Sequence, residues 1–378
     1  MRKLSDTDVL NKTVALRVDL NVPVKDGKVL DDSRILAVIP TLKYLQKQNS
    51  KTILISHFGR PKAEVIDFKF SLLPVAKRLG EILNKEIPIF ATIDEVNFHK
   101  DISMIENIRF LPGELINDFN LSKSLCNLAD VYVFDAFGTS HRPHASTYGA
   151  IQAANTSCAG FLLEDETYAL EKATDSQESP ILSIVGGSKV SSKLEAIKNL
   201  LQISDEVLTG GGITNTFLKA QGNNIGISLC ENSMLNHAKE LLETGKILLP
   251  DEVVVSKSID SNGSRICNID SVQDDEMILD QMLSPTAAEK IFEARKIIWN
   301  GPVGVFEKEL FSSGTQDLAN AIASSEAYSL AGGGETLLAI KMFIDKSKIS
   351  YCSTGGGAFL EFMEGKELPS LSALGFKF

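Results

Sequence analysis

The chain has 378 residues, with 38 basic against 49 acidic side chains and a net charge of −11. That balance excludes nucleic acid or an anionic membrane as its main partner, because both demand an extended basic surface. Hydrophobic residues at 43% and charged residues at 23% describe a soluble globular chain long enough for two ordinary domains, with no apolar run near the roughly 18 to 20 residues that span a bilayer.

The start, Met1-Arg2-Lys3-Leu4-Ser5-Asp6, lacks the apolar core of a signal peptide, so a cytoplasmic location is expected. Cys126, Cys158, Cys230, Cys267 and Cys352 are far apart and include no CxxC pair, which speaks against disulfides and zinc.

In chain order, Thr13 to Val18 reads as a buried strand leaving through Asp19-Leu20-Asn21-Val22-Pro23. Asp19 and Asn21 suit turn formation and ligand contact alike. Asp31-Asp32-Ser33-Arg34 predicts a cap for a helix from Ile35 to Gln46. A cation in a first helical turn is disfavoured by the helix dipole, so Arg34 is read as facing a ligand. Lys51 to Ser56 predicts a second strand ending in His57-Phe58-Gly59-Arg60-Pro61, Leu72 to Leu83 a helix, Glu86 to Phe90 a short strand, and Ile105 to Phe110 a strand with Arg109 near its exit. Asp130 to Phe137 then runs into Gly138-Thr139-Ser140-His141-Arg142-Pro143-His144.

In an open parallel sheet, ligands lie at the carboxyl ends of the strands. Asp19, Asn21, His57, Arg60, Arg109 and Arg142 all occupy such ends, so they can converge as an anion clamp. Arginine forks match carboxylate and phosphate oxygens in pairs.

Gly160-Phe161-Leu162 opens an acidic helix to Thr174, and the polar Asp175 to Pro180 reads as a boundary. Beyond it, glycine turns recur between an apolar run and a helical pattern: Gly186-Gly187, Gly210-Gly211-Gly212, Gly332-Gly333-Gly334 and Gly355-Gly356-Gly357. With 27 glycines in 378 residues, chance supplies about 0.14 triplets, so the three triplets are placed. Each junction aims free backbone N–H groups and the positive end of a helix at one point, which makes a phosphate seat. None carries the Lys-Ser or Lys-Thr of a Walker loop, and none reads Gly-x-Gly-x-x-Gly. Lys189 and Lys193, spaced as one turn of a helix, follow the first of these turns, and Ile297 to Glu307 reads as an apolar strand and a Gly/Pro loop suited to an adenosine wall.

The stretches Arg17 to Pro23, Ser56 to Pro61, Phe134 to Arg142 and Trp299 to Glu307 resemble those of phosphoglycerate kinases, and the likeness continues in order through Ser353 to Ala358 and Glu364 to Pro369. The resemblance implies an α/β fold of two doubly wound parallel-sheet (Rossmann-like) domains. The first, residues 1–160 with a returning tail 366–378, would bind 3-phosphoglycerate. A hinge helix 161–174 would join it to a nucleotide domain 175–365.

It further implies reversible phosphoryl transfer between 1,3-bisphosphoglycerate and Mg-ADP, giving 3-phosphoglycerate and Mg-ATP, by a monomer with ATP/ADP and Mg2+ as nucleotide and metal. Arg34, Lys189, Gly334 and Gly357 would serve the migrating group. Asp19, Asn21, Arg34, His57, Arg60, Arg109 and Arg142 would hold the glycerate. Lys193, Gly211, Asn300, Glu307, Gly333, Gly334, Glu335 and Thr336 would hold the nucleotide, with Glu307 a ribose partner.

Two departures stand out. The family's Gly-Gly-Asp-Thr is here Gly333-Gly334-Glu335-Thr336, so the side chain expected to meet Mg2+ is one methylene longer. The family's Asp-x-Gly-Pro is replaced by Asp280 to Pro285. These leave a different carboxylate or phosphoanhydride kinase, or a paralogue kept for binding, as the competing readings.

Overall fold

The computed structural model describes residues 1–377. The chain divides into two compact units, Met1–Tyr168 joined by the tail from Glu367 onward, and Ala169–Lys366. The division falls inside the helix Phe161–Thr174.

In the first unit, a six-stranded parallel sheet runs in the order Ile89–Phe90, Ile102–Ile105, Lys51–Ile55, Thr13–Val18, Val131–Asp135, Ser157–Ala159. Its central strands are apolar runs without alternation, as expected where helices cover both faces; Val131–Asp135 is buried at every residue. Lys51–Ile55 and Val131–Asp135 flank Thr13–Val18 on opposite sides, so the strand order reverses there. The carboxyl end of Thr13–Val18 therefore opens on the crevice where such sheets bind ligands.

The second unit repeats the plan with the order Ile247–Leu248, Glu206–Gly210, Ile181–Gly186, Lys296–Asn300, Tyr328–Ala331, Tyr351–Cys352, all parallel. The glycine turns follow the carboxyl ends of Ile181–Gly186, Glu206–Gly210, Tyr328–Ala331 and Tyr351–Cys352. A smaller antiparallel sheet, Arg265–Asn268, Glu252–Ser256 and Met277–Gln281, has its own core of Leu218, Ile225, Val253, Val255 and Ile278. Its short strands escaped the sequence reading.

Three local expectations are corrected. The helix expected over Ile35 to Gln46 is two, Ser33–Ala37 and Ile39–Lys47, parted at Val38 just before Pro40. Proline has no N–H to continue the ladder, which places it at a helix start. The strand expected to reach Phe110 stops at Ile105, and Ile108–Phe110 is a 3-10 turn. Asn107 forces this turn. Its amide donates to Phe58 O at 2.7 Å and Phe70 O at 2.9 Å, while its Oδ1 accepts from Phe58 N at 3.1 Å and Arg109 N at 3.2 Å. Lys189 and Lys193 do not share a helix either; both lie in the turn before Leu194–Ile203, with Lys193 as its N-cap.

Asp135 ends its strand and caps the helix Phe161–Thr174. Its carboxylate accepts from Thr41 Oγ1 at 2.6 Å and Leu163 N at 2.9 Å. Complete burial pushes this carboxyl up to about 7, against hydrogen bonds that favour the charge. The folded state thus holds the proton more tightly than the unfolded chain. The resulting stability is fully present below the ordinary value of 3.8 and is lost as pH rises through about 7. Asp135→Asn is expected to flatten the decline of melting temperature between about pH 5 and 8 relative to wild type. Parallel slopes in a pH series of thermal melts would show that the carboxyl is ionised throughout.

Candidate functional site

The strand ends of the first unit build a cationic crevice. Arg34 Nη1 donates to Asp19 Oδ2 at 2.7 Å and to Asn21 O at 3.3 Å. Asn21 Oδ1 in turn accepts from Gly59 N at 2.9 Å, tying the first strand's exit to the second's. Gly59 O also accepts from Arg109 Nη1. Arg60 lies close enough to Arg109 and Arg142 for mutual repulsion to disfavour their charges, and Asp19 supports that of Arg142. All seven residues expected in the clamp, Asp19, Asn21, Arg34, His57, Arg60, Arg109 and Arg142, therefore converge in one unit.

Electrostatics reflect the crowding. Burial first, then the neighbouring arginines, lowers Arg109 to about 10. Burial also pushes His141 and His144 down to about 4, and His57 well below its usual value. Two buried polar atoms here, Arg109 Nε and His141 Nδ1, have no hydrogen-bond partner among the described residues. Buried polar atoms are ordinarily satisfied, so these are suited to meet a ligand.

Several members of the cluster were not singled out from the sequence. Arg17 is 1% exposed on the central strand, and its Nη2 lies 3.4 Å from His57 Nδ1. A charge inside the apolar run Thr13 to Val18 was the available signal. His141 and His144 flank Arg142 and could have been read with it. Glu114 and Ser146 carry no local mark.

In the second unit, glycines Gly211, Gly333 and Gly356 occupy the caps of the helices Gly212–Gln221, Gly334–Phe343 and Gly357–Met363, with no side-chain cap on any of them. Their φ angles of +66°, +95° and +48° lie in the region that favours glycine. Gly211 N and Ile213 N donate to Val303 O and Gly187 O, both at 3.1 Å, so the start of Gly212–Gln221 is tied to neighbouring turns, whereas the start of Gly334–Phe343 is exposed at Gly334 and Glu335. A cleft of about 370 Å³ opens beside them, with Gly187, Gly211 and Gly212 on one side and Met277, Leu279, Val303, Val305 and Phe306 supplying an apolar wall; Glu307 and Glu335 also line it.

At its edge Lys193 donates to Gly186 O at 2.7 Å, to Asn300 O at 3.2 Å and to Asn300 Oδ1. Asn300 Nδ2 donates to Gly332 O at 3.0 Å, and Thr336 Oγ1 accepts from Gly301 N at 2.7 Å. Lys193, Asn300, Gly301, Gly332 and Thr336 thus form one knot with Gly333 next to it in the chain, and burial lowers Lys193 to about 8 while Glu335 opposes the shift. Lys189 is exposed beside Glu231, and Gly357 heads the helix after the edge strand; among the described residues no hydrogen bond or ion pair ties either to this knot.

The segment Asp280 to Pro285 now has a path. Asp280 and Gln281 end a strand, and Ser284 caps the helix Pro285–Glu293 by accepting from Ala287 N at 3.1 Å. Asp280 accepts from Gly314 N at 2.8 Å, and burial raises its carboxyl to about 7.

Among the described residues no group of three or more His, Cys, Asp or Glu is arranged to hold a metal. Magnesium needs no such cage when it arrives on nucleotide phosphates, since one or two carboxylates then suffice. The exposed Glu335 at the glycine turn fits that requirement. Among the described residues no helix is long and apolar enough to cross a membrane.

A family model described as phosphoglycerate kinase matches residues 4–366. The phosphoglycerate kinase of Francisella philomiragia is 48% identical over 385 residues, covering 98% of this chain and 97% of its own. That of Vibrio campbellii is 46% identical over 378 residues, covering 98% of each. Among solved structures, the phosphoglycerate kinase of Coxiella burnetii superposes with a TM-score of 0.93 at 42% identity, covering 99% of this chain and 98% of that one. The Pyrococcus horikoshii OT3 enzyme gives 0.83 at 33% identity, over 100% and 99%. With agreement in sequence and fold across nearly its whole length, the chain belongs to the phosphoglycerate kinase family.

Proposed function

We propose that this kinase transfers the phosphoryl group between 1,3-bisphosphoglycerate and Mg-ADP using the two clusters as separate halves of one reaction. The observation that carries this reading is the convergence of Arg17, Arg34, Arg60, Arg109 and Arg142 around a crevice that holds two unpartnered buried polar atoms. A glycerate carrying a carboxylate or acyl phosphate at one end and a phosphate at the other supplies anionic oxygens for such a clamp. Asp19 and Asn21 orient Arg34 and hold the hydroxyl region. His57, Arg60, Arg109 and Arg142 take the 3-phosphate end.

The nucleotide lies in the cleft of the second unit, its base against the apolar wall and its ribose near Glu307. Its phosphates meet Lys193, Asn300, Thr336 and the N–H groups near Gly211, Gly333 and Gly334. No strong general base is needed, because a carboxylate and a nucleotide phosphate are already ionised at neutral pH. Rate comes from in-line positioning and neutralised charge, to which Arg34, Lys189, Gly334 and Gly357 contribute. Magnesium, when bound on the phosphates, neutralises their charge, and Glu335 is the side chain that would hold it.

The two ligands belong to different units, so direct transfer requires closure about the helix Phe161–Thr174, which also keeps water from the acyl phosphate. The enzyme is read as a cytoplasmic monomer.

The test is ATP-dependent phosphorylation of 3-phosphoglycerate in a coupled assay with Mg2+; ATP binding without transfer would defeat the assignment of roles. A second measurement concerns Glu335. Octahedral magnesium tolerates little error in ligand reach, so Glu335→Asp is expected to change the Mg2+ dependence of ADP binding by about threefold or more. Calorimetric titrations that superimpose for the two proteins would separate Glu335 from the metal.

A further inference from the structure

A continuous line of contacts in the first unit leads from a buried acid to the imidazole of His57. Glu114 is 1% exposed, and its carboxylate accepts from Ser146 N at 2.9 Å and Ser146 Oγ at 2.6 Å. Ser146 Oγ has one proton, and it goes to Glu114; its lone pairs then accept from Arg17 Nε at 2.8 Å. The serine is fixed from its other side by Tyr132, whose hydroxyl donates to Ser146 O at 2.6 Å, and Ala145 N donates to Glu114 O at 2.9 Å. Arg17 Nη1 donates to Val18 O, and Nη2 reaches His57 Nδ1 at 3.4 Å.

That last contact has only one chemical sense. A guanidinium donates and cannot accept, so Nδ1 must present its lone pair. The ring proton is then on Nε2. Asp19 Oδ1 would favour the opposite tautomer, but it stands 4.0 Å from Nδ1, beyond hydrogen-bond reach. Burial first, and then the charges of Arg17, Arg109, Arg142 and Arg34, resist a second proton on the ring.

We propose that Glu114, acting through Ser146 and Arg17, is the positioning residue that holds His57 as a neutral ring with its proton on Nε2. Its role rests on the reading of the crevice as the 3-phosphoglycerate clamp. A neutral donor among arginines keeps one direction and one charge across physiological pH, where a titrating imidazole would make affinity for an anionic oxygen depend on pH. Burial raises the Glu114 carboxyl, while Arg17, the two bonds from Ser146 and Arg109 favour its charge, so the acid and the two buried cations offset one another's cost of burial.

The decisive experiment is long-range proton–nitrogen correlation of 15N-histidine protein at pH 6 and 8, with His57 assigned through His57→Gln. Free wild type is expected to show His57 neutral and protonated on Nε2 at both pH values. Ser146→Ala and Glu114→Gln should each give mixed tautomers or a charged ring. Each should also raise the KM for 3-phosphoglycerate about tenfold, with kcat changed less than about threefold. Should Glu114→Gln fail to fold, Ser146→Ala alone carries the comparison.

A charged or Nδ1-protonated His57 in wild type overturns the proposal, as do variants that leave tautomer and KM unchanged. Adding 3-phosphoglycerate separates the two claims. If it fails to move the His57 resonances of wild type, the clamp reading falls, while the tautomer result still judges the role of Glu114.

Discussion

Replacing Arg34 by alanine is expected to lower kcat by about 10² to 10³-fold, the usual cost of removing one preorganised charged donor from a developing negative charge. Arg34 is bound to Asp19 and Asn21 and lies in the short helix Ser33–Ala37, so its guanidinium is held before any ligand arrives. Its side chain is one-third exposed, and the residue adds little to the core. The melting temperature should therefore stay within a few degrees of wild type. ADP affinity, measured by calorimetry, should be unchanged, because the nucleotide cleft belongs to the other unit. A variant retaining more than about a tenth of wild-type kcat would remove Arg34 from contact with the migrating group.

Gly186→Ala is expected to produce a large loss of stability. A β-carbon there would come within 1.9 Å of Pro302 O and 2.7 Å of Gly301 C. Both are backbone atoms, and no rotamer change can relieve the clash. Gly301 itself holds φ at +114°, so the opposing loop is already in a conformation few side chains tolerate.

The strand Ile181–Gly186 and the loop after Lys296–Asn300 would have to separate, at a cost of about 3 kcal/mol or more. Lys193 bonds Gly186 O and Asn300 O across that seam, so separation also pulls apart its anchors. Unfolding midpoints should drop and ADP affinity fall together. Gly263→Ala is the control, because nothing lies within 4 Å of the added carbon. Equal stability of Gly186→Ala and wild type would mean that the seam can open freely.

Much of the clamp was legible because its residues sit at points where the chain changes character. His57, Arg60 and Arg142 follow apolar runs, and Arg34 occupies a helix start that disfavours a cation. The glycine turns were visible for the same reason, since an apolar run, small residues and a helical period mark a strand, a turn and a helix in order. Arg17 was less visible, as a single charge in an apolar strand that burial would ordinarily forbid. Glu114 gave no warning. It follows Leu111-Pro112-Gly113 in a turn-rich stretch, and its partner Ser146 is 32 residues away.

Two of the three misread elements share one cause. The run from Ile105 to Phe110 has the composition of a strand, yet Asn107 finds four backbone partners at Phe58, Phe70 and Arg109 and bends it into a turn. Lys189 and Lys193 have helical spacing, but Ser191 binds Glu231 through both its N–H and its hydroxyl and holds the segment outside the helix. Such side-chain to backbone bonds compete with regular structure and depend on a partner that local pattern does not name.

Hydrophobic period, proline and glycine act over a few residues, so the sequence by itself determined where most strands and helices lie and which polar residues stand at their ends. Pairing order, the small antiparallel sheet, the linkage of Glu114 to His57 and the depressed or raised pKa values were decided only in the tertiary structure. Each depends on burial and on charges brought together from distant segments, and a desolvated group takes its energy from whichever neighbours the fold supplies.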